Sequence, residues 1–414
     1  MIERDIAQDQ LASADGFSSS PPGATCPCKK PPALHAGIFF DGTGNNMFRD
    51  RATTTHTNVV RLYDVFPQGG GAEALHRKYY IRGVGSLAQG QRVQALGREA
   101  ATSTGQAVAH NPTPVGLIQG AVASLTSLGG YVAEVGYDIA GKAGGLGGKN
   151  RLNMAYEWLS ARCGEVAPTG ERTVDIFGFS RGAAMARTFV NLVNMALKRE
   201  HPLLRVRFLG IFDTVGSFGM AGDDSDPGQN LGINQTDAME IAHYTARHEY
   251  RGNFPLTLIS PECDKPYPGC HSDVGGSYPP KDSDGKVNHL GHVTFVDMYD
   301  ALSGLMEKLH AGCCVLAPAE SAIALSRAQV QEVKNKKAPE YAQMQGQEKE
   351  WTEAERKYYD EYIHQSHLLL SDWWKLNQGT NLISNQIDRL GRRREFQNPR
   401  QQELDGMPPD FDWK

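Results

Sequence analysis

The sequence lacks the features that mark membrane-spanning, secreted and nucleic-acid-binding proteins. No apolar run is long enough to predict a transmembrane helix, and residues 1–24 contain no apolar core of the kind found in signal peptides. The formal net charge is −5, so no basic excess indicates a nucleic-acid partner. We therefore expect a protein that is made in the cytoplasm without a signal peptide and that reaches any other compartment without a cleaved leader.

Cysteine is also scarce. The chain has seven cysteines among 414 residues, and this odd count argues against a framework of disulfide bonds. We expect most of them to be free thiols. An alternative is a zinc site, although the spacing matches no familiar zinc finger; its ligands would be Cys263, Cys270, His271 and Asp273. We expect neither a metal nor an organic cofactor.

What the chain does contain is a series of short apolar strands that alternate with helical segments. We predict strands at residues 35–40, 78–82, 173–177, 205–212 and 254–260, and helices at residues 151–163, 181–200 and 237–250. This alternation predicts an α/β fold with a mainly parallel sheet flanked by helices. Ligands of such folds bind at the carboxyl ends of the strands. Four side chains follow predicted strands and are expected to meet there: Asp41, Ser180, Asp213 and His271.

Ser180 lies in a Gly178-x-Ser180-x-Gly182 pattern between a predicted strand and a predicted helix. A nucleophile elbow holds a serine in a strained turn of this kind, with its oxygen exposed above the sheet and small residues on either side. The bland alternative is a tight turn in which the serine has no chemical role. The combination of strand, small residues and helix favours the nucleophile.

A serine nucleophile needs a base and a group that orients the base. Asp213 and His271 follow Ser180 in the chain order that α/β-hydrolases use for their triads. Asp213 could instead be a turn or cap residue, and His271 a loop histidine bonded to backbone. We predict a triad of these three residues.

Two other histidines compete with His271 for the role of base. His364 and His367 lie at the end of a helical region rather than after a late strand, and we expect His364 to cap that helix or to line the pocket wall. Asp273 is a rival for the acid, but it lies only two residues beyond His271 and would struggle to reach the far ring nitrogen.

The glycine-rich turn that starts at Asp41 is expected to bind the substrate oxyanion. This turn, formed by Asp41, Gly42 and Thr43, can present a backbone N–H beside the N–H of Arg181 at the start of the elbow helix. A phosphate-binding loop is the competing interpretation, but no Gly-Lys-Ser/Thr sequence follows.

Six sequence motifs, in this order, resemble a known family. They are GIFFDGTGNN, YYIRGVGS, AYEWLSARCG, DIFGFSRGAAMAR, FLGIFDTVGSFG and HSDVGGSY. Over residues 26–310 the chain resembles a family of bacterial α/β-hydrolases that includes phospholipase effectors of the type VI secretion system. The resemblance implies a Ser180–Asp213–His271 triad, phospholipase A activity on membranes and delivery into the periplasm of a rival cell. It also implies an immunity protein in the producer, and we expect a component of the secretion spike or tube to carry the effector.

The predicted domain organisation follows from the pattern along the chain. Residues 1–33 read as a flexible leader, residues 34–317 as the catalytic domain, and residues 318–414 as a helical extension packed on that domain. Within the catalytic domain, residues 111–148 form a Gly/Ala-rich insertion, uncharged between residues 111 and 133, that is either a lipid-facing lid or a surface insertion. The alternatives to a phospholipase are an esterase for a soluble or polysaccharide-linked ester and a non-catalytic interaction protein.

Overall fold

The computed structural model describes residues 33–70, 74–86, 148–218, 226, 228–309, 320–334, 336, 338, 352–364 and 393–399. Residues 1–32 of the predicted leader, residues 111–147 of the predicted insertion, and His367 lie outside these described residues, and Ala33 is the first residue of a strand rather than part of a leader. None of the helices within the described ranges is both long and apolar enough to cross a membrane.

A mixed sheet of seven strands forms the centre of the fold. Its strands are β1 (Ala33–Phe40), β2 (Gly69–Gly70), β3 (Ala74–Ile81), β4 (Arg172–Phe179), β5 (Leu204–Phe212), β6 (Glu240–Ala246) and β8 (Asp264–Tyr267). They are ordered β2-β3-β1-β4-β5-β6-β8, and every neighbouring pair is parallel except β2 with β3. The two short strands β7 (Leu256–Thr257) and β9 (Glu395–Phe396) pair separately. The predicted mainly parallel sheet is therefore confirmed.

Helices cover both faces of the sheet. They are α1 (Met47–Asp50), α2 (Asn58–Val65), α3 (Gly148–Cys163), α4 (Arg181–Leu192), α5 (Lys198–Glu200), α6 (His271–Gly275), α7 (His289–Leu309), α8 (Glu320–Lys334) and α9 (Glu353–Tyr362), and a π-helical turn (Val193–Leu197) joins α4 to α5. Along β1, Ile38 belongs to the core beneath α3 and α4, whereas Phe39 belongs to the core beneath α2 and α7. This alternation is the period-two geometry of a strand buried on both faces.

The prediction for residues 237–250 is wrong. Their alanine- and glutamate-rich sequence favours a helix, but residues 240–246 form β6, paired in parallel with β5 and β8. Burial between two strands outweighs the local preference for a helix. The predicted strand at residues 254–260 shrinks to β7, Leu256–Thr257, and a strand that we did not predict, β8, precedes His271.

The carboxyl ends of β1, β4 and β5 lie side by side in the sheet. Asp41, Ser180 and Asp213 follow these three strands directly. His271 was expected in a loop and is instead the first residue of the short helix α6, which begins soon after β8. The sheet therefore carries the predicted residues along one edge.

Candidate active site

Ser180 sits in a strained turn between β4 and α4. Its backbone has φ 59° and ψ −127°, a conformation that side-chain-bearing residues rarely adopt. A Cβ at Gly178 would lie 2.4 Å from the carbonyl oxygen of Gly182, and one at Gly182 would lie 2.3 Å from that of Phe40. Both glycines are thus required by close backbone contacts, as expected at a nucleophile elbow. The Ser180 N–H donates to the carbonyl oxygen of Phe212 at 3.1 Å, which fixes the turn against the end of β5.

His271 and Asp213 form a buried hydrogen-bonded pair. The His271 Nδ1 atom lies 2.5 Å from Oδ2 of Asp213. The imidazole contacts two aromatic rings, with ring centroids 4.6 Å from Phe179 and 4.9 Å from Phe254. Burial lowers the pKa of His271 although the hydrogen bond to Asp213 acts in the opposite direction. The pair therefore offers a neutral imidazole that a carboxylate orients.

Asp213 is held by more than the histidine. Its Oδ1 accepts from the Ala246 N–H at 2.7 Å, and Arg393 donates from Nη1 to Oδ1 and from Nη2 to Oδ2, both at 2.7 Å. Burial by itself would raise the pKa of Asp213, but the Arg393 guanidinium and His271 outweigh it and hold that pKa well below its ordinary range. The carboxylate is therefore ionised and fixed in its plane.

Sequence reasoning missed Arg393 entirely. It is the middle member of a three-arginine run near the C-terminus, in a polar stretch that resembles a solvated surface. In the structure its side chain is almost fully buried. No local pattern in the sequence distinguishes it from the arginines on either side.

Another buried histidine, His243, supports the turn that carries Asp213. His243 Nε2 accepts from the Thr214 N–H at 3.1 Å, and its Nδ1 lies 2.7 Å from Oδ1 of Asp264. With Nε2 accepting, the Nδ1 atom carries the proton and the ring is neutral. Burial also lowers the pKa of His243. Its role is to orient the backbone after Asp213, and this residue too was missed.

The turn after β1 is arranged around the buried carboxylate of Asp41. That carboxylate accepts from the Gly42 N–H at 2.8 Å, from Thr57 Oγ1 at 2.6 Å and from the Tyr80 hydroxyl at 2.5 Å. Burial raises the pKa of Asp41 to about 6 against these hydrogen bonds. The Gly42 N–H is thus engaged within the turn. Among the described residues, the buried hydroxyl of Thr43 has no hydrogen-bond partner.

The side chain of Arg181 binds the loop after Asp213. Its Nε donates to the carbonyl oxygens of Gly216 and Ser217, at 3.2 and 3.0 Å. These contacts fix the loop after Asp213 to the start of α4. Any direct role of Arg181 at the serine is therefore one for its backbone rather than for its guanidinium.

The rival residues Asp273 and His364 bind each other. His364 Nδ1 lies 2.5 Å from Oδ1 of Asp273, and the His364 N–H donates to Oδ2 at 3.1 Å. The imidazole stacks on Tyr278 with ring centroids 3.8 Å apart. In the portion of the chain that the structure describes, no cluster of three or more histidine, cysteine, aspartate or glutamate side chains is arranged to hold a metal ion.

A family model for the catalytic domain of Tle1-like phospholipase effectors of the type VI secretion system matches residues 37–198 and 195–301. This match covers more than half of the chain. The chain belongs to this family. Ser180, Asp213 and His271 lie inside the matched residues of the Tle1-like domain, whereas His364 and Arg393 lie beyond them.

Two solved structures resemble this Tle1-like chain at low identity. One is described as the structure of the Tle1 effector bound to the VgrG spike from the type 6 secretion system; it has 18% identity and a TM-score of 0.48, with 93% of this chain and 98% of the other covered. The other is an uncharacterized protein from Pseudomonas aeruginosa, with 20% identity and a TM-score of 0.37; the alignment covers 82% of this chain and 54% of the other. No curated protein matches the chain.

Proposed function

We propose that this chain is a serine lipolytic hydrolase of the α/β-hydrolase fold that cleaves acyl esters of glycerophospholipids, a phospholipase of the A type. The observation that carries the proposal is the strained turn at Ser180 beside a buried, hydrogen-bonded His271–Asp213 pair. Membership of the Tle1-like phospholipase family supports a lipid ester as substrate.

In the proposed mechanism Ser180 is the nucleophile, His271 the general base and Asp213 the orienting acid. The proton of the serine hydroxyl passes to Nε2 of His271 while the serine oxygen attacks the ester carbonyl. Asp213 keeps the proton of the neutral imidazole on Nδ1, so that Nε2 is free to accept. The imidazolium then returns a proton to the leaving alcohol, and water releases the fatty acid from the acyl-enzyme in the reverse sequence.

For the oxyanion we propose two backbone donors. One is the N–H of Arg181 at the start of α4, and the other is the N–H of Thr43 in the turn after β1. The contact between Gly182 and the β1 end brings this turn against the elbow. Thr43 is favoured over Gly42, because the Gly42 N–H is bound to Asp41. The buried hydroxyl of Thr43 is a further donor suited to a developing negative charge. Asp41 then orders the turn rather than touching substrate.

The family also supports a biological setting for the proposed enzyme. The chain would be a type VI effector carried by a spike or tube component, acting on membrane phospholipid in the periplasm of the target cell. An immunity protein would protect the producing cell. The catalytic domain would span residues 33–317, with residues 1–32 as a leader, residues 111–148 as a lid and residues 318–414 as an extension packed on the domain.

The test is a product assay with defined phospholipids in mixed micelles, in which fatty acid, lysolipid and released head group are separated and identified. We expect fatty acid and lysolipid from the wild-type protein and a loss of several orders of magnitude in rate for Ser180→Ala. Ser326→Ala, at a buried serine on α8, is the matched control and should keep the wild-type rate. Head-group release, or equal rates for wild type and Ser180→Ala, would refute the proposal.

The same assay separates the proposal from its closest alternative. An esterase for a soluble ester would hydrolyse a short water-soluble ester in a Ser180-dependent manner and leave phospholipid intact. A non-catalytic interaction protein would hydrolyse neither substrate.

A further inference from the structure

We propose that Arg393 is a positioning residue for the catalytic acid, so that the C-terminal segment of the chain completes the active site. This inference rests on the proposed function. It starts from the two parallel hydrogen bonds, both 2.7 Å, that join the Arg393 guanidinium to the two carboxylate oxygens of Asp213. A planar guanidinium that binds both oxygens fixes the plane of a carboxylate, which a single-point donor cannot do.

Each oxygen of Asp213 has a second partner, so the orientation set by Arg393 reaches the imidazole. Oδ2 is shared with Nδ1 of His271, and Oδ1 is shared with the N–H of Ala246. Rotation of the carboxylate about its Cβ–Cγ bond would break the bond to His271 together with the others. Arg393 therefore acts on the serine through two intermediates and is itself expected to touch no substrate.

Arg393 also supplies the charge that a fully buried carboxylate needs. Asp213 is inaccessible to solvent, and an isolated buried carboxyl favours its neutral form. A neutral acid would no longer stabilise the imidazolium that forms when Ser180 loses its proton. The same positive charge lowers the proton affinity of His271, so the charge has an opposing effect on the base.

The segment that delivers Arg393 is held by backbone pairing and by side-chain hydrogen bonds. Residues 393–399 include β9, which pairs with β7. Leu256 N–H donates to the Arg394 carbonyl oxygen at 2.9 Å, and Arg393 Nε donates to the carbonyl oxygen of Phe254 at 2.7 Å. Phe254 is one of the two rings against His271. The segment therefore docks beside the base as well as beside the acid.

Asn398 fastens the far end of the segment. Its side chain accepts from the Ile233 N–H at 3.1 Å and donates to the Ile233 carbonyl oxygen at 2.7 Å, and Nη2 of the buried Arg187 donates to it at 2.9 Å. Because the segment that carries Arg393 and Asn398 lies outside the residues that match the family's catalytic domain, the matched domain alone is expected to hold the triad residues without their clamp.

The experiment compares Arg393→Gln with Arg394→Gln in the full chain, using a Ser180-dependent ester assay over a range of pH. Arg394 is on the same segment and donates to the Gly252 carbonyl oxygen at 2.5 Å, without contact to Asp213. For Arg393→Gln we expect kcat to fall on the order of 10²-fold with KM changed less than about twofold, as for a misplaced catalytic group. Arg394→Gln should keep the wild-type kcat.

The pH profile adds a readout that a merely structural role would not move. Among the residues that the structure describes, the charged groups that act on His271 include Asp213, Glu249, Arg251 and Arg393. Arg251 is paired with Glu249 through two hydrogen bonds, so Arg393 is the cation whose loss alters the charge beside the His271–Asp213 pair. Its loss removes a positive charge that lowers the proton affinity of His271, and it also weakens the ionised form of Asp213 that raises this affinity. The acidic limb of kcat/KM should therefore move away from its wild-type position. Millimolar guanidinium added to Arg393→Ala should restore part of kcat.

The outcomes separate the two proposals. A wild-type rate no higher than that of Ser180→Ala refutes the proposed function. Two results would overturn the role of Arg393 while leaving the proposed function intact. In one, Arg393→Gln has the wild-type rate. In the other, Arg393→Gln and Arg394→Gln lose the same amount of activity and their pH profiles are unchanged. If Arg393→Gln does not fold, Arg393→Lys decides: a reduced kcat with a wild-type acidic limb supports the clamp, and a wild-type kcat overturns it.

Discussion

Two of the histidine–aspartate pairs among the described residues have the same short hydrogen bond and different surroundings. In each pair Nδ1 lies 2.5 Å from a carboxylate oxygen, between His271 and Asp213 in one and between His364 and Asp273 in the other. The first pair lies at the carboxyl edge of the sheet beside the strained serine turn, and its acid is clamped by an arginine. The second pair joins the end of α9 to α6.

The difference shows that a short bond between histidine and aspartate does not by itself mark a catalytic base. Asp273 also accepts the Cys270 N–H at the start of α6 and the backbone N–H of His364. These bonds satisfy backbone donors, which is a structural role. Asp213 also accepts one backbone N–H, that of Ala246, but its other bonds are to an imidazole and a guanidinium, both of which can carry charge. Location beside Ser180 and the partners of the acid distinguish the two pairs.

The largest expected contrast comes from removing each imidazole. His271→Ala should lower kcat for ester hydrolysis by about 10⁴-fold or more, since it removes the base. His364→Ala should leave kcat within a few-fold of wild type and lower the free energy of unfolding by about 1–3 kcal/mol, since it leaves Asp273 without its side-chain partner. Steady-state kinetics and urea unfolding measure both. A larger loss of kcat in His364→Ala than in His271→Ala would indicate that His364 is the base.

Much of the arrangement around the first pair could be predicted from sequence, because it depends on local signals. The turn at Ser180 follows from glycine spacing, and the sheet order places the ends of neighbouring strands together. The pairing of Asp213 with His271 was expected from chain order and is present as a hydrogen bond, while the catalytic roles stay predictions. The residues 240–246 were misassigned because burial within the sheet overrode local helix preference.

The second pair, and the arginine that binds the acid of the first pair, depend on contacts between distant parts of the chain. His364 reaches Asp273 across 91 positions, and Arg393 reaches Asp213 across 180. Neither residue has a periodicity or motif that predicts its partner, so a single sequence leaves both as ordinary polar residues of the C-terminal region. Sequence reasoning correctly separated Asp273 from His271 but did not find what Asp273 binds.

The next largest contrast is between the two acids. Asp213→Asn should lower kcat about 10³- to 10⁴-fold, because the amide cannot stabilise the imidazolium and favours the wrong tautomer of His271. Asp273→Asn weakens charge-assisted bonds to His364 and should cost about 1–3 kcal/mol of unfolding free energy with little change in kcat. Kinetic and unfolding measurements on the same preparations would show whether the two effects separate. A stable Asp213→Asn protein with wild-type kcat would contradict the proposed role of the acid.

The pH dependence of activity should report the first pair and ignore the second. Burial lowers the pKa of His271 below its ordinary value of 6.5 despite the bond to Asp213. A base must be deprotonated to act, so the acidic limb of kcat/KM should lie below pH 6.5, with a plateau at neutral pH. The rate profile of His364→Ala should superimpose on that of the wild type. A limb above pH 7, or one that shifts in His364→Ala, would contradict the assignment of His271 as the titrating base.

The smallest expected effect concerns Tyr278, the ring on which His364 stacks. Its hydroxyl lies 3.4 Å from the sulfur of Cys270, and its ring centroid lies 3.8 Å from that of His364. Tyr278→Phe removes only the weak contact to sulfur and keeps the stacking, so the unfolding free energy should change by less than about 1 kcal/mol and kcat should not change. Tyr278→Ala is the matched comparison, because it removes the half-buried ring that stacks on His364 and should cost about 2–4 kcal/mol. Urea unfolding distinguishes the two variants. Equal destabilisation by both would mean that the hydroxyl, rather than the stacked ring, holds the second pair in place.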